Sequence, residues 1–150
     1  MTEPDVQCAR FDALPARMAY LLWKLRVDVF VVEQQSVYPE LDGRDLDPGT
    51  RHLWTEQDAV PTAYLRVLDE PDGTARIGRV CVAAPHRGEG LARLLMLRAL
   101  REVGKRDSVL NAQAYLVAWY AGLGYVVTGD EYLDDGIPHV PMRRTGADHE

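Results

Sequence analysis

Cysteine is scarce in this chain of 150 residues, and its two cysteines, Cys8 and Cys81, lie far apart. Neither a CxxC pair, an HxxxH pair nor a Cys/His cluster occurs, so a zinc site has no support and no metal is expected. Two distant cysteines make no disulfide framework, which points to a reducing, cytoplasmic setting. Basic residues are outnumbered, 17 Lys and Arg against 23 Asp and Glu, for a formal net charge of −6. The broad basic footprint that nucleic-acid binding requires is therefore missing; Arg87 to Arg93 and Arg143-Arg144 are local exceptions. No apolar run reaches the roughly 18 residues of a membrane span, so no membrane association is expected. The opening MTEPDVQCAR has neither a basic nor an apolar stretch of the kind a secretory signal carries. No repeat or low-complexity segment is visible. What remains, 47% hydrophobic and 27% charged residues, is ordinary for one soluble domain over 1–150, with the tail 145–150 expected to fray.

The hydrophobic pattern orders that domain. CARFDALP alternates weakly, like an opening strand. Leu21, Leu22, Leu25, Val29 and Val32 recur at three- and four-residue steps, which predicts an amphipathic helix through ARMAYLLWKLRVDVFVV with Pro15 in its first turn. EQQSVYPELDGRDLDPGT has no period and is rich in Pro, Gly and Asp, the signature of a long and often functional loop. RHLWTEQDAVPTAYLRVLDEPDGTARIGRVCVA reads as three strands, with Pro71-Asp72-Gly73 turning between the second and third. A helix follows Gly90, with Ala92, Leu95, Met96, Ala99 and Val103 on its buried face and Gly104 at its end. SVLNAQ reads as a strand, AYLVAWYAGLG as a short helix, and YVVTGDEYLDDGIPHVPMRR as a hairpin turning at Asp134-Asp135-Gly136. The fold class is α/β of the α+β type: a mixed sheet with helices packed on it.

The junction RIGRVCVAAPHRGEGLARLL is the informative stretch. A helix N-terminus carries unpaired N–H groups and the positive end of the macrodipole. Glycines there let an anion approach the main chain. A pyrophosphate over this helix start is the physical expectation. A Walker A loop would need Gly-Lys-Ser/Thr, and no lysine follows these glycines. A dinucleotide fingerprint would need a third glycine where Arg93 stands, and a parallel-sheet context rather than a hairpin.

Arg87-Gly88-Glu89-Gly90-Leu91-Ala92 matches R/Q-x-x-G-x-G/A and resembles the acyl-CoA signature of the GNAT superfamily of N-acetyltransferases. GRVCV is similar to that superfamily's splayed fourth strand, and AWYAGLGY to its later tyrosine-bearing segment. LRVDVFVVEQQ, YPELDGRDLD, LNAQAYLVAWYAGLGY and DEYLDDGIPHVPM together resemble the ElaA-type subgroup. Ala84 stands where a proline is usual, and Ala92 where glycine is commoner. The resemblance implies a mostly antiparallel sheet whose central strands splay to hold acyl-CoA. It implies that Arg87, Gly88, Gly90, Leu91, Ala92 and Arg93 cradle the pyrophosphate. Val80 and Val82 would pair through their backbone with the pantetheine arm, and Gln113, or its neighbour Asn111, would touch the co-substrate. It implies direct transfer from acetyl-CoA to a small-molecule or peptide amine, with Tyr120 as the proton donor to the leaving thiolate.

For the acceptor, Glu33 and Gln34 beyond the first helix and Asp42 and Asp45 on the acidic loop are the candidate contacts. Glu33, Asp42, Asp45, His52, His139 and a water chain all remain open as the base. Cys81, in an apolar strand, reads as an inert small hydrophobe. Two other functions stay in view. Arg26, Phe30, Asp42, Asp45 and Arg66 also resemble residues of acyl-homoserine-lactone synthases, which use S-adenosylmethionine. A CoA-sensing module without turnover is the non-enzymatic alternative. Base rates favour a homodimer.

Overall fold

In the computed structural model, residues 4–146 are described. Strand β1 (Gln7–Ala9) leads to helix α1 (Ala16–Val27), and three strands follow the long loop: β2 (Arg51–Gln57), β3 (Val60–Asp69) and β4 (Ala75–Val82). Helix α2 (Leu91–Val103), strand β5 (Ser108–Gln113), short helix α3 (Val117–Ala121) and strands β6 (Val126–Val127), β7 (Tyr132–Asp134) and β8 (Ile137–Arg144) complete the chain. The sheet has eight strands, ordered β1-β2-β3-β4-β5-β8-β6, with β7 also on β8. Among the described residues only β4 and β5 run parallel; every other pair is antiparallel. This is the mixed, mostly antiparallel sheet flanked by helices that the sequence predicts.

One face of the sheet carries α2. Leu91, Leu95, Met96, Ala99 and Val103 pack there against Leu65, Val67, Ile77, Leu110 and Met142. Emptying one such position, Leu95 to Ala for instance, ordinarily costs about 2–5 kcal/mol. The other face carries α1, where Leu22, Leu25 and Val29 meet Trp54, Tyr64 and Cys81. Two expectations along α1 are corrected. Val32 is 65% exposed, because the chain leaves α-geometry for a π-helical turn over Asp28–Glu33 that rotates it outward. The expected apolar stripe also omits Arg26, which is fully buried among partners from the loop that follows. On α2, Ala92 is half-buried at the cleft rather than in the core.

Glycine and aspartate turns behave as their chemistry suggests: Gly73, Gly104 and Gly136 all take positive φ. Pro15 stands one residue ahead of the first helical turn. Of the tail, Gly146 donates to Asp107 at 3.0 Å; 147–150 lie outside the described residues. Among the described residues no helix is long and apolar enough to cross a membrane.

Candidate active site

The site begins as a flaw in the sheet. β4 and β5 pair only at Ala75–Ser108 and Arg76–Val109, and then part. On its other side β4 carries a bulge: Tyr64 faces Cys81 and Arg66 faces Gly78, so Arg79 and Val80 together oppose Leu65. Arg79 takes φ +55 to accommodate the extra residue. Beyond the bulge, the Ala83 N–H donates to the Thr62 carbonyl on the β3 side at 2.8 Å. Strand alternation then turns the peptide groups of Val82, and by the same parity Val80, toward the gap. The Val82 carbonyl there accepts from Arg87 Nε at 3.1 Å.

The gap opens into a cavity of about 480 Å³ lined by residues of β3, β4, β5, the π-helical turn after α1, α3 and the β7–β8 hairpin. At one end lies the start of α2, in a shallow recess formed by Gly88, Gly90, Leu91, Ala92, Arg93 and Trp119. Gly88 and Gly90 have φ +83 and +78, a conformation that L side chains rarely adopt. The first helical hydrogen bond there runs from Leu94 to the Gly90 carbonyl, and no side chain caps the helix. The amides of Leu91, Ala92 and Arg93 thus have no intrahelical acceptors, an arrangement of the kind that suits an anion.

Tyr120 lines the cavity from α3, only 6% exposed. Its ring meets Trp119 and Tyr125 edge-on at 4.9 and 6.1 Å. Burial pushes its phenol well above the ordinary range, which keeps the proton on the oxygen at neutral pH. Cys81 is likewise pushed up by burial, so it remains a thiol packed under α1.

Of the remaining sequence candidates, the structure brings Glu33, Gln34, Asn111 and Gln113 to the cavity wall. Gln113 Nε2 donates to Gln34 Oε1 at 3.4 Å, linking β5 to the end of α1. Glu33 is bound at both oxygens by Arg87, at 2.5 and 2.8 Å, and these bonds hold its carboxyl below the usual range. Arg87, expected in the phosphate cradle, therefore spans the cavity mouth from Glu33 to the Val82 carbonyl.

Asp42 and Asp45 go elsewhere. They enter a buried ion cluster and do not line the cavity. Arg26 donates to Glu40 at 2.6 Å and to Asp45 at 2.7 Å. Arg66 donates to Asp42 at 2.9 Å and to Asp45 at 3.0 Å, and Arg79 donates to Glu40 at 2.8 Å. Burial works to raise both aspartates, but the arginine bonds and charges outweigh it and both are lowered. Arg26, Asp42, Asp45 and Arg66, four of the five residues similar to those of lactone synthases, are thus gathered in one place, with each carboxylate bonded by guanidinium; Phe30, the fifth, lines the cavity instead. The cluster pins the long loop to the sheet and so fixes the wall formed by Ser36, Tyr38, Arg66 and Arg79. His52 is buried beneath it, with Nε2 donating to the Asp45 carbonyl at 3.1 Å and Nδ1 accepting from Tyr64 at 2.6 Å.

Sequence reasoning missed Trp119, Phe30, Tyr38 and Tyr115 as cavity walls. Trp119 had a signal in its place beside Tyr120, and Phe30 in its likeness to a lactone-synthase residue; Tyr38 and Tyr115 carry none that separates a wall from a packed or exposed aromatic.

A model of the acetyltransferase (GNAT) domain matches residues 24–145. A UPF0039 protein of Mycobacterium tuberculosis is 54% identical over 138 residues, 89% of this chain and 88% of its own. Among solved structures, an acyl-CoA N-acyltransferase from Pseudomonas aeruginosa superposes with a TM-score of 0.91 at 41% identity, over 95% of this chain and all of that one. Escherichia coli ElaA gives a TM-score of 0.89 at 33% identity, covering 95% and 99%.

Proposed function

The chain belongs to the GNAT acetyltransferase family, and on that premise we propose that it moves an acetyl group from acetyl-CoA directly to a primary amine. The observation that carries this reading is the parting of β4 from β5. It leaves main-chain groups facing a cleft that runs from an uncapped helix start to a buried, protonated tyrosine. A linear co-substrate with an anionic end, an amide-bearing arm and a thioester fits that sequence of features.

Each residue then has a part. Leu91, Ala92 and Arg93, with Gly88 and Gly90, offer amides to a pyrophosphate. Val80 and Val82 offer peptide groups to an amide-bearing arm, as one strand does to another. A peptide N–H on the bulged strand stabilises charge on the thioester oxygen. Gln113 touches the arm, and Gln34 lies on the acceptor side. Tyr120 gives its proton to the departing sulfur. Arg87 must leave Glu33 and the Val82 carbonyl to reach the pyrophosphate. Acetyl-CoA supplies the activated acyl group, so no acyl-enzyme on Cys81 is required. The setting proposed is the cytoplasm, where the two free thiols stay reduced.

Calorimetric titration with acetyl-CoA, with S-adenosylmethionine and ATP as controls, tests the reading. Saturable binding of acetyl-CoA alone is expected, followed by thiol release with members of an amine panel. No binding by folded, CoA-free protein would overturn it. Tight binding with no transfer to any amine would make the protein a sensing module instead.

A further inference from the structure

We propose that His139 is the base that takes the proton from the incoming ammonium; this rests on the acyl-transfer reading above. Three observations converge on it.

The first is its tautomer. His139 Nδ1 lies 2.8 Å from the Ile137 carbonyl oxygen. A carbonyl only accepts, so Nδ1 carries the hydrogen and Nε2 of the neutral ring presents a lone pair. No partner occupies Nε2 among the described residues.

The second is its position. His139 on β8 stands directly opposite Gln113 on β5, which places the two side chains on one face of the sheet, roughly 5 Å apart at Cβ. Their neighbours in register, Val140 and Ala112, are both buried, Ala112 in the core beneath α2 on the other face. His139 therefore shares the cavity with Gln113, which is itself bonded to Gln34. Tyr132 stacks on the imidazole at 5.9 Å and steadies its plane.

The third is elimination. An amine acceptor arrives as ammonium near neutral pH, since a lysine-type amine titrates near about 10.4. Some group must take its proton. Glu33 is closed by Arg87 in the free protein, and once released it is a carboxylate, an intrinsically weaker base than an imidazole. Glu40, Asp42 and Asp45 are closed by Arg26, Arg66 and Arg79. His52 spends both ring nitrogens inside the protein. His86 sits outside the cavity, paired with Glu89. Around His139 stand Tyr132, Asp134 and Asp135 from its own hairpin, and Arg76 and Arg79 of β4 and Tyr120 of α3 across the cavity. The two aspartates favour a cation near the imidazole; the two arginines are engaged with Glu70 and Glu40.

The protons balance. Nε2 removes one from R–NH3+, and the neutral amine attacks the thioester carbon, forming the C–N bond. The C–S bond breaks, the thiolate takes the Tyr120 proton, and the nitrogen sheds its second proton, which restores Tyr120 through solvent. The imidazolium returns its proton to solvent.

His139→Asn tests the assignment, because the asparagine amide retains a donor for the Ile137 carbonyl but offers no basic nitrogen. The expected result is a fall in kcat/KM of about 10²–10⁴-fold, the usual worth of a general base. The limb of the pH profile that depends on the base should vanish, with acetyl-CoA affinity and melting temperature unchanged. In the wild type, nitrogen-15 NMR should show the Nδ1–H tautomer at His139. A variant that keeps the wild-type rate and pH profile would overturn His139 while leaving acyl transfer standing, as would an Nε2–H tautomer. Wild-type protein that acylates no amine would overturn both.

Discussion

Tyr120 illustrates how one atom's surroundings decide a role. Its ring is enclosed by aromatic neighbours and burial disfavours ionisation, so the proton stays on the oxygen at neutral pH. In the proposed reaction that proton goes to the departing sulfur. Tyr120→Phe keeps the ring packing and removes only the proton. The expected outcome is a drop in kcat of about 10²-fold with the dissociation constant for acetyl-CoA unchanged, read by steady-state kinetics beside calorimetry. Full activity would dismiss the phenol. At this scale the sequence was legible where a residue's neighbours are local, as with Gly88, Gly90 and Tyr120. It was opaque where they are remote. Arg26 looks like the polar face of a helix because its partners, Glu40 and Asp45, stand 14 and 19 positions away. Asp42 and Asp45 look like a solvated acidic loop for the same reason.

Helix α2 and strand β4 meet at the loop that opened the functional reading. The helix was readable from its periodicity and its glycines. The bulge was not. Positive φ costs least at glycine, yet beside Gly78 it is Arg79 that adopts it, held there by the bonds of its guanidinium to Glu40 and the Glu40 backbone. Tertiary contacts override the local preference. The π-helical turn after α1 was equally hidden, since its residues Asp28–Glu33 continue the helical pattern of the preceding turns. For α2 the prediction is electrostatic and conformational at once. Gly90→Asp places a carboxylate beside amides that await an anion and forces a side chain onto φ +78. Acetyl-CoA affinity should fall at least about tenfold, equivalent to about 1.4 kcal/mol, in calorimetry on protein whose circular dichroism is intact. Unchanged affinity would remove α2 from the phosphate site.

The whole molecule is net negative, yet it balances its charges inside. Arg26, Arg66 and Arg79 face Glu40, Asp42 and Asp45 in one buried cluster, with His52 held neutral below by burial. The sign of the pH dependence follows. His52 and both aspartates titrate lower folded than unfolded, so the unfolded chain binds more protons and stability is lost as pH falls. For His52 the loss begins below about 6.5, and for the aspartates below about 3.9, their ordinary values in an unfolded chain. Thermal melts should be level from pH 8 to 7, decline toward 5 and steepen below 4. His52→Gln should flatten the first segment only. A melting temperature that rose between pH 7 and 5 would contradict the neutral, buried imidazole.

The parted strands also reverse the usual order of wear in a sheet. Edges ordinarily exchange their amide hydrogens first, and the middle last. Here β4 is an interior strand with Val80 and Val82 turned to an open seam. In deuterium these two amides should exchange ahead of Leu65 on the neighbouring strand, and acetyl-CoA should slow them by pairing with them. Equal protection at all three positions would mean that the seam is closed in solution. Seen by exchange, the ligand is the missing strand that makes the centre of the sheet its slowest part again.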